Sequence, residues 1–298
     1  MELAVRPERV GRPRLVSVIV PVRNGERHVG DQMAALAAQD YDGPWEVVVV
    51  DNGSTDRTAE VVARWRDRLP SLTVVDASNR RGLNHARNAG RAAARGDFLA
   101  FCDADDVATP GWVSALAEAA AQADLVSGEI ELEQLNDPAG QAWERATPLG
   151  GVPTTEFAPY PAGGNCGMWA DVAHELSWDE AFAFGGSDME FGWRASLAGY
   201  RIEFVPDALM RIRFRNTVPA LIRQHFRYGL GQAQLFRRFR RLGMPRSDLV
   251  DAVDCYRWLY DHRSRLRGDR AARGHWLRVA AERLGRICGS IRWGVLYL

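Results

Sequence analysis

The sequence predicts an α/β fold: a mostly parallel central sheet flanked by helices, followed by a helical C-terminal extension. Three observations carry this. Short β-branched runs alternate with helix-length stretches through the first hundred residues. The links between them are short, which argues right-handed βαβ units. Carboxylates fall where apolar runs end, with Asp51 after one run and Asp103, Asp105 and Asp106 after another. In an open α/β sheet that position faces the ligand crevice.

The elements follow in order. Residues 1–14 form a charged, Pro-containing tail without the apolar core of a signal peptide. Val16 to Val20, ending at Pro21, is β-branched throughout, as a buried parallel strand requires. A helix over Val29 to Gln39 leads to a strand over Trp45 to Val50 and the turn Asp51-Asn52-Gly53-Ser54-Thr55-Asp56. The next helix runs to about Leu69, a short strand covers Leu72 to Val75, and a helix over Asn84 to Ala94 precedes the strand Phe98 to Cys102. Thr109-Pro110 reads as a helix cap with proline in the first turn, opening a helix over Trp112 to Gln122. A strand near Asp124 to Glu133 comes next. Residues 136–164 are polar and rich in Pro and Gly, too long for a simple link and of the length of lids and binding loops. A helix over Ser187 to Leu197, strands over Ile202 to Val205 and Ala208 to Phe214, and helix from Thr217 onward complete the reading. The expected organisation is a tail (1–14), a nucleotide-binding half (15–106), an acceptor-binding half (107–215) and an Arg-rich helical region (216–298).

Composition narrows the class. All 38 basic residues are arginine, and formal net charge is zero. From Arg201 onward, however, 21 arginines face 8 acids, about +13. Such a segment suits anionic lipid or an anionic substrate. Nucleic acid is disfavoured, because the arginines alternate with apolar residues at helical spacing and form no patch. Four cysteines without a CxxC pair suggest neither a zinc knuckle nor a disulfide framework, and reduced cytosolic thiols are the simplest reading. No run of about 18 apolar residues occurs. The absence of G-x-G-x-x-G after the first strand and of a P-loop anywhere argues against classical dinucleotide and P-loop folds.

Three constellations carry chemistry. Asp51 and Asp103 follow strands whose carboxyl ends share one sheet edge, so one carboxylate suits a base or ribose and the other a metal on a pyrophosphate. The same acids serve equally as turn and cap residues, and Ser54 and Thr55 as helix caps. Arg87, on the helix after Gly82, has the fork for a phosphate. Ser187 and Glu190 make a capping box that places Asp188 at a helix start, where it is either a simple cap or a general base.

Taken together these stretches resemble the family-2 glycosyltransferases of the GT-A fold. Val16 to Val22 with Asn24 and Glu26, the Asp51 to Asp56 turn, Asn79…Gly82…Ala86-Arg87-Asn88-x-Gly90 and Asp103-Ala104-Asp105-Asp106 occur in that family's order and spacing. Gly163-Gly164-Asn165 and Asp188-x-Glu190…Arg194 continue the likeness, which covers residues 15 to 230. The resemblance implies inverting transfer of a sugar from a nucleoside-diphosphate sugar to a hydroxyl acceptor. UDP is the first expectation for the nucleotide, with TDP or GDP as alternatives. The acceptor would be a saccharide, a lipid-linked molecule or a small molecule. It implies donor contacts from Pro21, Val22, Asn24, Glu26, Asp51, Asn52, Ser54, Gly82, Arg87, Asp103, Ala104, Asp105 and Arg211. Asp103 and Asp105 would hold Mg²⁺ or Mn²⁺, Asp188 would be the base, and Gly164, Asn165, Trp169 and Ser187 would border the acceptor. Ser187 stands where the family commonly has Glu, and Arg211 where many members have a metal-binding His. Arginine cannot ligate a metal, so Arg211 or Arg213 is expected to pair with the diphosphate directly. A catalytically silent sugar-binding module and a sugar-1-phosphate nucleotidyltransferase are the alternatives. The expected location is cytoplasmic and bacterial; the amphipathic stretch Trp276 to Leu298 suits either packing on the catalytic domain, the favoured reading, or peripheral contact at the inner face of the plasma membrane.

Overall fold

The computed structural model describes residues 9, 11–144 and 146–298, so most of the 1–14 tail lies outside the described residues. Eight strands form one sheet: β1 (Val16–Val22), β2 (Trp45–Asp51), β3 (Leu72–Asp76), β4 (Phe98–Cys102), β5 (Val107–Ala108), β6 (Leu125–Glu131), β7 (Asn165–Trp169) and β8 (Ile202–Arg211). Ten α-helices are α1 (Val29–Ala37), α2 (Thr58–Ala63), α3 (Leu83–Ala93), α4 (Trp112–Ala119), α5 (Pro138–Glu144), α6 (Ala170–Leu176), α7 (Ser187–Leu197), α8 (Val218–Phe239), α9 (Leu249–Asp261) and α10 (Arg270–Trp293). Strand order is β3-β2-β1-β4-β7-β6-β8-β5. The β1–β2, β1–β4, β2–β3 and β6–β8 pairs are parallel, and β7 runs antiparallel to both its neighbours.

β1, β2 and β4 are buried on both faces because helices cover both. Val16, Val18, Val20, Phe98 and Ala100 point to one side, onto Met33 and Leu36 of α1 and Trp112 and Leu116 of α4. Ile19, Val48, Val50, Leu99 and Phe101 point to the other, onto Ala86 of α3, Val172 of α6 and Phe191 of α7.

Three expectations change. Thr109 does not cap α4: its Oγ1 donates to Leu209 O at 2.9 Å, and Gly111 holds the N-cap position. The two expected strands after residue 201 are one, with Pro206 falling where the β6–β8 register shifts. A bulge there needs no N–H from proline. Residues 136–164 are not a featureless loop, since they contain α5, and β7 and α6 follow them directly.

The chain divides into two compact units: residues 1–131, 148–181 and 188–212, which hold the sheet, and residues 132–147, 182–187 and 213–298. In the second, α10 packs on α8 through small residues. A Cβ on Gly229 would meet Glu282 O at 2.0 Å, and one on Gly285 would meet Phe226 O at 2.1 Å. The Trp276 indole donates to Leu259 O, and Trp293 packs edge-on against Phe184. Both tryptophans of the C-terminal helix therefore have packing partners within this unit. Among the described residues no helix is long and apolar enough to cross a membrane, and the cysteines are free thiols.

Candidate active site

Asp51 ends β2 in register with Val22 of β1, and Asp103 follows β4 on the other side of the same strand. Their carboxylates thus share the carboxyl edge of the sheet. The loops there are tied to each other. Asn24, at φ +53°, donates its N–H to Ser54 Oγ at 2.9 Å, and its Oδ1 accepts from Thr55 N at 2.8 Å. Glu26 accepts from Arg57 N, and Asp56 accepts from Glu26 N. Backbone and side-chain donors, chiefly Thr58 and Glu26, outweigh desolvation and hold Asp56 below the usual carboxylate range. Asp51 Oδ1 accepts from Ser54 N at 2.8 Å. Pro21 and Val22 close the end of β1, and Val22 O accepts from Asn52 N. Asn52 is buried and its side chain is spent, donating to Ala77 O and Arg80 O and accepting from Gly82 N. It sets the loop, including Gly82 at φ +151°, a conformation that favours glycine.

Arg87 is the best-placed cation. It is buried on α3, donates from Nη2 to Gly163 O at 2.7 Å, and lies 3.8 Å from Asp103 Oδ1. Its guanidinium stacks 4.3 Å over Trp178, while Nε and Nη1 are buried without a partner. Unspent buried donors are costly unless something charged completes them.

The glycine pair between the carboxylates is closely approached by the side chains around it. A Cβ on Gly163 would lie 2.9 Å from Asp188 Cβ and 3.2 Å from Arg87 Nη2, and one on Gly164 would lie 2.7 Å from Asp103 Oδ2. Asp188 is the second residue of α7 and its Oδ1 accepts from Met189 N. The stretch 159–163 lies along one face of that helix. Ser196 donates to Pro159 O at 3.0 Å, a Cβ on Gly192 would strike Tyr160 Cβ at 2.4 Å, and Gly163 meets Asp188. Positions 188, 192 and 196 are one turn apart. Burial pushes the Cys166 thiol up to about 12; Asp188 and Asp103 add to the shift and Arg87 opposes it. The same three groups thus act electrostatically on one buried thiol. Burial, reinforced by Asp188, raises the Tyr160 phenol to about 12.

Asn165 and Trp169 differ from expectation. Asn165 is buried and donates from Nδ2 to Glu129 O and Ala208 O, while its Oδ1 accepts from the Trp112 indole at 2.7 Å. It holds strands together and has little left for an acceptor. Trp169 pairs with Phe98 at the opposite end of β7, roughly 13 Å from the site edge at strand rise. Its indole donates to Ala120 O and Ala123 O. It is removed from the acceptor set. Ser187 opens α7 next to Asp188. Sequence reasoning missed Trp178, Tyr160 and Gly192. Only Gly192 left a signal, a small residue one turn after Asp188.

Asp103, the buried Ala104 and Asp105 make the turn after β4, with Asp103 O accepting from Gln32 Nε2 at 3.2 Å. Among the described residues no cluster of three His, Cys, Asp or Glu side chains is poised for a metal. Two carboxylates on one turn still fit a hard cation whose other ligands come from substrate phosphates. Arg211 ends β8 beside Val107, and its Nε is buried without a partner.

A sheet edge with carboxylates after two of its strands and a buried guanidinium beside one of them fits a GT-A enzyme that handles a nucleotide-activated group. The chain belongs to glycosyl transferase family 2, whose model matches residues 17–173; that of glycosyl transferase family group 2 matches 99–266. It is similar to glycosyltransferase AglE of Haloferax volcanii, 28% identical over 227 residues, 74% of each chain. Against the poly(ribitol-phosphate) β-N-acetylglucosaminyltransferase TarS of Staphylococcus aureus it is 38% identical over 91 residues, 30% of this chain and only 16% of TarS. Among solved structures, the mannosyltransferase PcManGT from Pyrobaculum calidifontis, in complex with GDP-Man and Mn²⁺, gives a TM-score of 0.62 at 22% identity, covering 96% of this chain and 90% of that one. TarS 1–349 in complex with UDP-GlcNAc gives 0.54 at 20%, covering 95% and 93%. These neighbours support the fold. Family membership leaves no place for the nucleotidyltransferase alternative.

Proposed function

We propose that the chain transfers a sugar from a nucleoside-diphosphate sugar to a hydroxyl acceptor with inversion at the anomeric carbon. The observation that carries this is the meeting of Asp188, Arg87 and Asp103 around Gly163-Gly164. Pro21 to Glu26 and Asp51 line the base and ribose. Arg87 and Arg211 bring unspent donors to the diphosphate. Asp188 takes the proton of the acceptor hydroxyl as its oxygen bonds to the anomeric carbon, and the bond to the departing diphosphate breaks on the opposite face. Asp103 and Asp105 would hold a divalent cation, which when bound would offset charge on the diphosphate. PcManGT with GDP-Man and TarS with UDP-GlcNAc make both UDP and GDP donors to screen.

The test is Asp188→Asn, read as donor affinity and as transfer rate. Transfer should fall by roughly 10²–10⁴-fold while donor affinity holds. An Asn variant that transfers normally, or that loses the donor equally, removes Asp188 as base.

A further inference from the structure

Thirteen large apolar side chains are exposed among the described residues. Val74, Leu83 and Leu197 lie in the first unit and the other ten in the second. Five of those ten, Leu242, Leu249, Val250, Val253 and Tyr260, follow one another along the turn after α8 and along α9. The four on α9 make a stripe at helical spacing, distinct from the buried stripe of Ala252 and Leu259. The inner side of α9 is fixed to α10, where Cys255 Sγ accepts from Arg283 Nε at 3.1 Å and Leu259 O from the Trp276 indole. Each residue of the outer stripe is more than half exposed.

Just before α9 in the chain, the end of α8 and the turn after it form a pocket of about 250 Å³ lined by Phe236, Arg240, Arg241, Met244 and Arg246. The three arginines are exposed and have no carboxylate partner among the described residues. Arg237, in the last turn of α8, is likewise exposed and complements the helix dipole; the pocket arginines lie past that turn and are not needed for it. Of the acids nearby, Asp248 caps α9 through Val250 N and Asp254 pairs with Arg257, while Asp251 and Asp261 also stand on α9. Guanidinium forks suit phosphates, and the Phe236–Met244 wall with the apolar stripe suits hydrocarbon.

We propose that this corner of the second unit docks on an anionic bilayer. Lipid phosphates meet Arg240, Arg241 and Arg246, while Leu242, Leu249, Val250 and Val253 enter the interface. Charge complementarity selects this occupant over a second copy of the chain, which would bring the same arginines to the contact. The proposal does not depend on the reaction assigned above.

Flotation of the full chain tests it, using phosphatidylcholine vesicles with and without phosphatidylglycerol, at low and high salt. Binding should require phosphatidylglycerol and weaken with salt. Arg240→Gln/Arg241→Gln/Arg246→Gln should reduce it by roughly 100-fold, the product of three surface arginines. Val250→Ser/Val253→Ser should reduce it several-fold. Thermal melts check that the variants fold; the lipid and salt arms on the parent chain decide the question even if one does not. Four results overturn the proposal: no binding to phosphatidylglycerol vesicles; equal binding to phosphatidylcholine alone; a triple variant that binds undiminished; or a concentration-dependent dimer that Val250→Ser/Val253→Ser dissolves. A melting rise from inorganic phosphate, lost in the triple variant and without vesicle binding, would mark a free-anion pocket and also overturn it.

Discussion

Gly164→Ala separates the position of Asp103 from the stability of the fold. The added methyl would sit 2.7 Å from Asp103 Oδ2 and 3.0 Å from Cγ. Ordinary contact begins at 3.4 Å, so the carboxylate must withdraw by about 0.7 Å. It can do so cheaply, since the Asp103 side chain is 39% exposed and turns about its own rotamers. The cost to the fold should stay below about 1 kcal/mol, a melting shift of no more than about 2–4 °C. The cost to chemistry is larger, because a displacement near 1 Å in a positioned group is worth on the order of 10²-fold. Steady-state transfer should therefore show kcat/KM reduced roughly 30–100-fold with the melting temperature nearly unchanged. Gly151→Ala is the control, because nothing lies within 4 Å of its added methyl, and it should behave as the parent. If Gly164→Ala transfers normally, Asp103's position is not tied to the reaction and the site is drawn wrongly. If it melts far lower, the pair of glycines serves packing.

Asn165→Ala should lower stability by about 2–4 kcal/mol, since it orphans the Trp112 indole and two carbonyls, and denaturant melts will show it; normal stability with poor acceptor affinity would restore its acceptor role. Glu46 is buried, and although desolvation raises its pKa, donors from Arg95 and Ser17 hold it below the ordinary 4.5. That stabilisation is complete above the ordinary value and is lost as pH falls through the lowered one. Glu46→Gln should thus cost about 1–2 kcal/mol near neutrality and flatten the acid limb of a melting-versus-pH curve, which would be unchanged if the pair contributes nothing. Arg211→Met should weaken donor binding by roughly 10–100-fold, the loss of one or two charge-assisted hydrogen bonds, measured by titration. Parent activity that vanishes in EDTA and returns with Mn²⁺ would refute a direct role for Arg211 in place of a metal.

The first hundred residues were legible because period and burial agree there: Val16 to Val22 and Phe98 to Cys102 are apolar on both faces and lie between helix layers. β7 was not, because Asn165-Cys166-Gly167 has little strand character and its antiparallel place is set by β4 and β6. Pro206 split one strand into two on paper, since a sequence does not show that a bulge will absorb the missing donor. Motif spacing placed Asp51, Arg87, Asp103 and Asp188 on the chain, but a motif cannot tell a side chain facing substrate from one consumed inside. Asn52, Asn165 and Trp169 are of the second kind, and only their partners reveal it.

The run from Pro159 to Gly163, seated on three successive turns of α7 and clasped by Arg87, makes Asp188 and the buried guanidinium parts of a single piece. The start of α7 cannot shift away from Arg87 without disturbing those contacts. If Asp188 has the role proposed for it, adjustment to the shape of an acceptor is expected from residues outside that piece, and the stretch before Pro159 is the place to rebuild for a new acceptor preference.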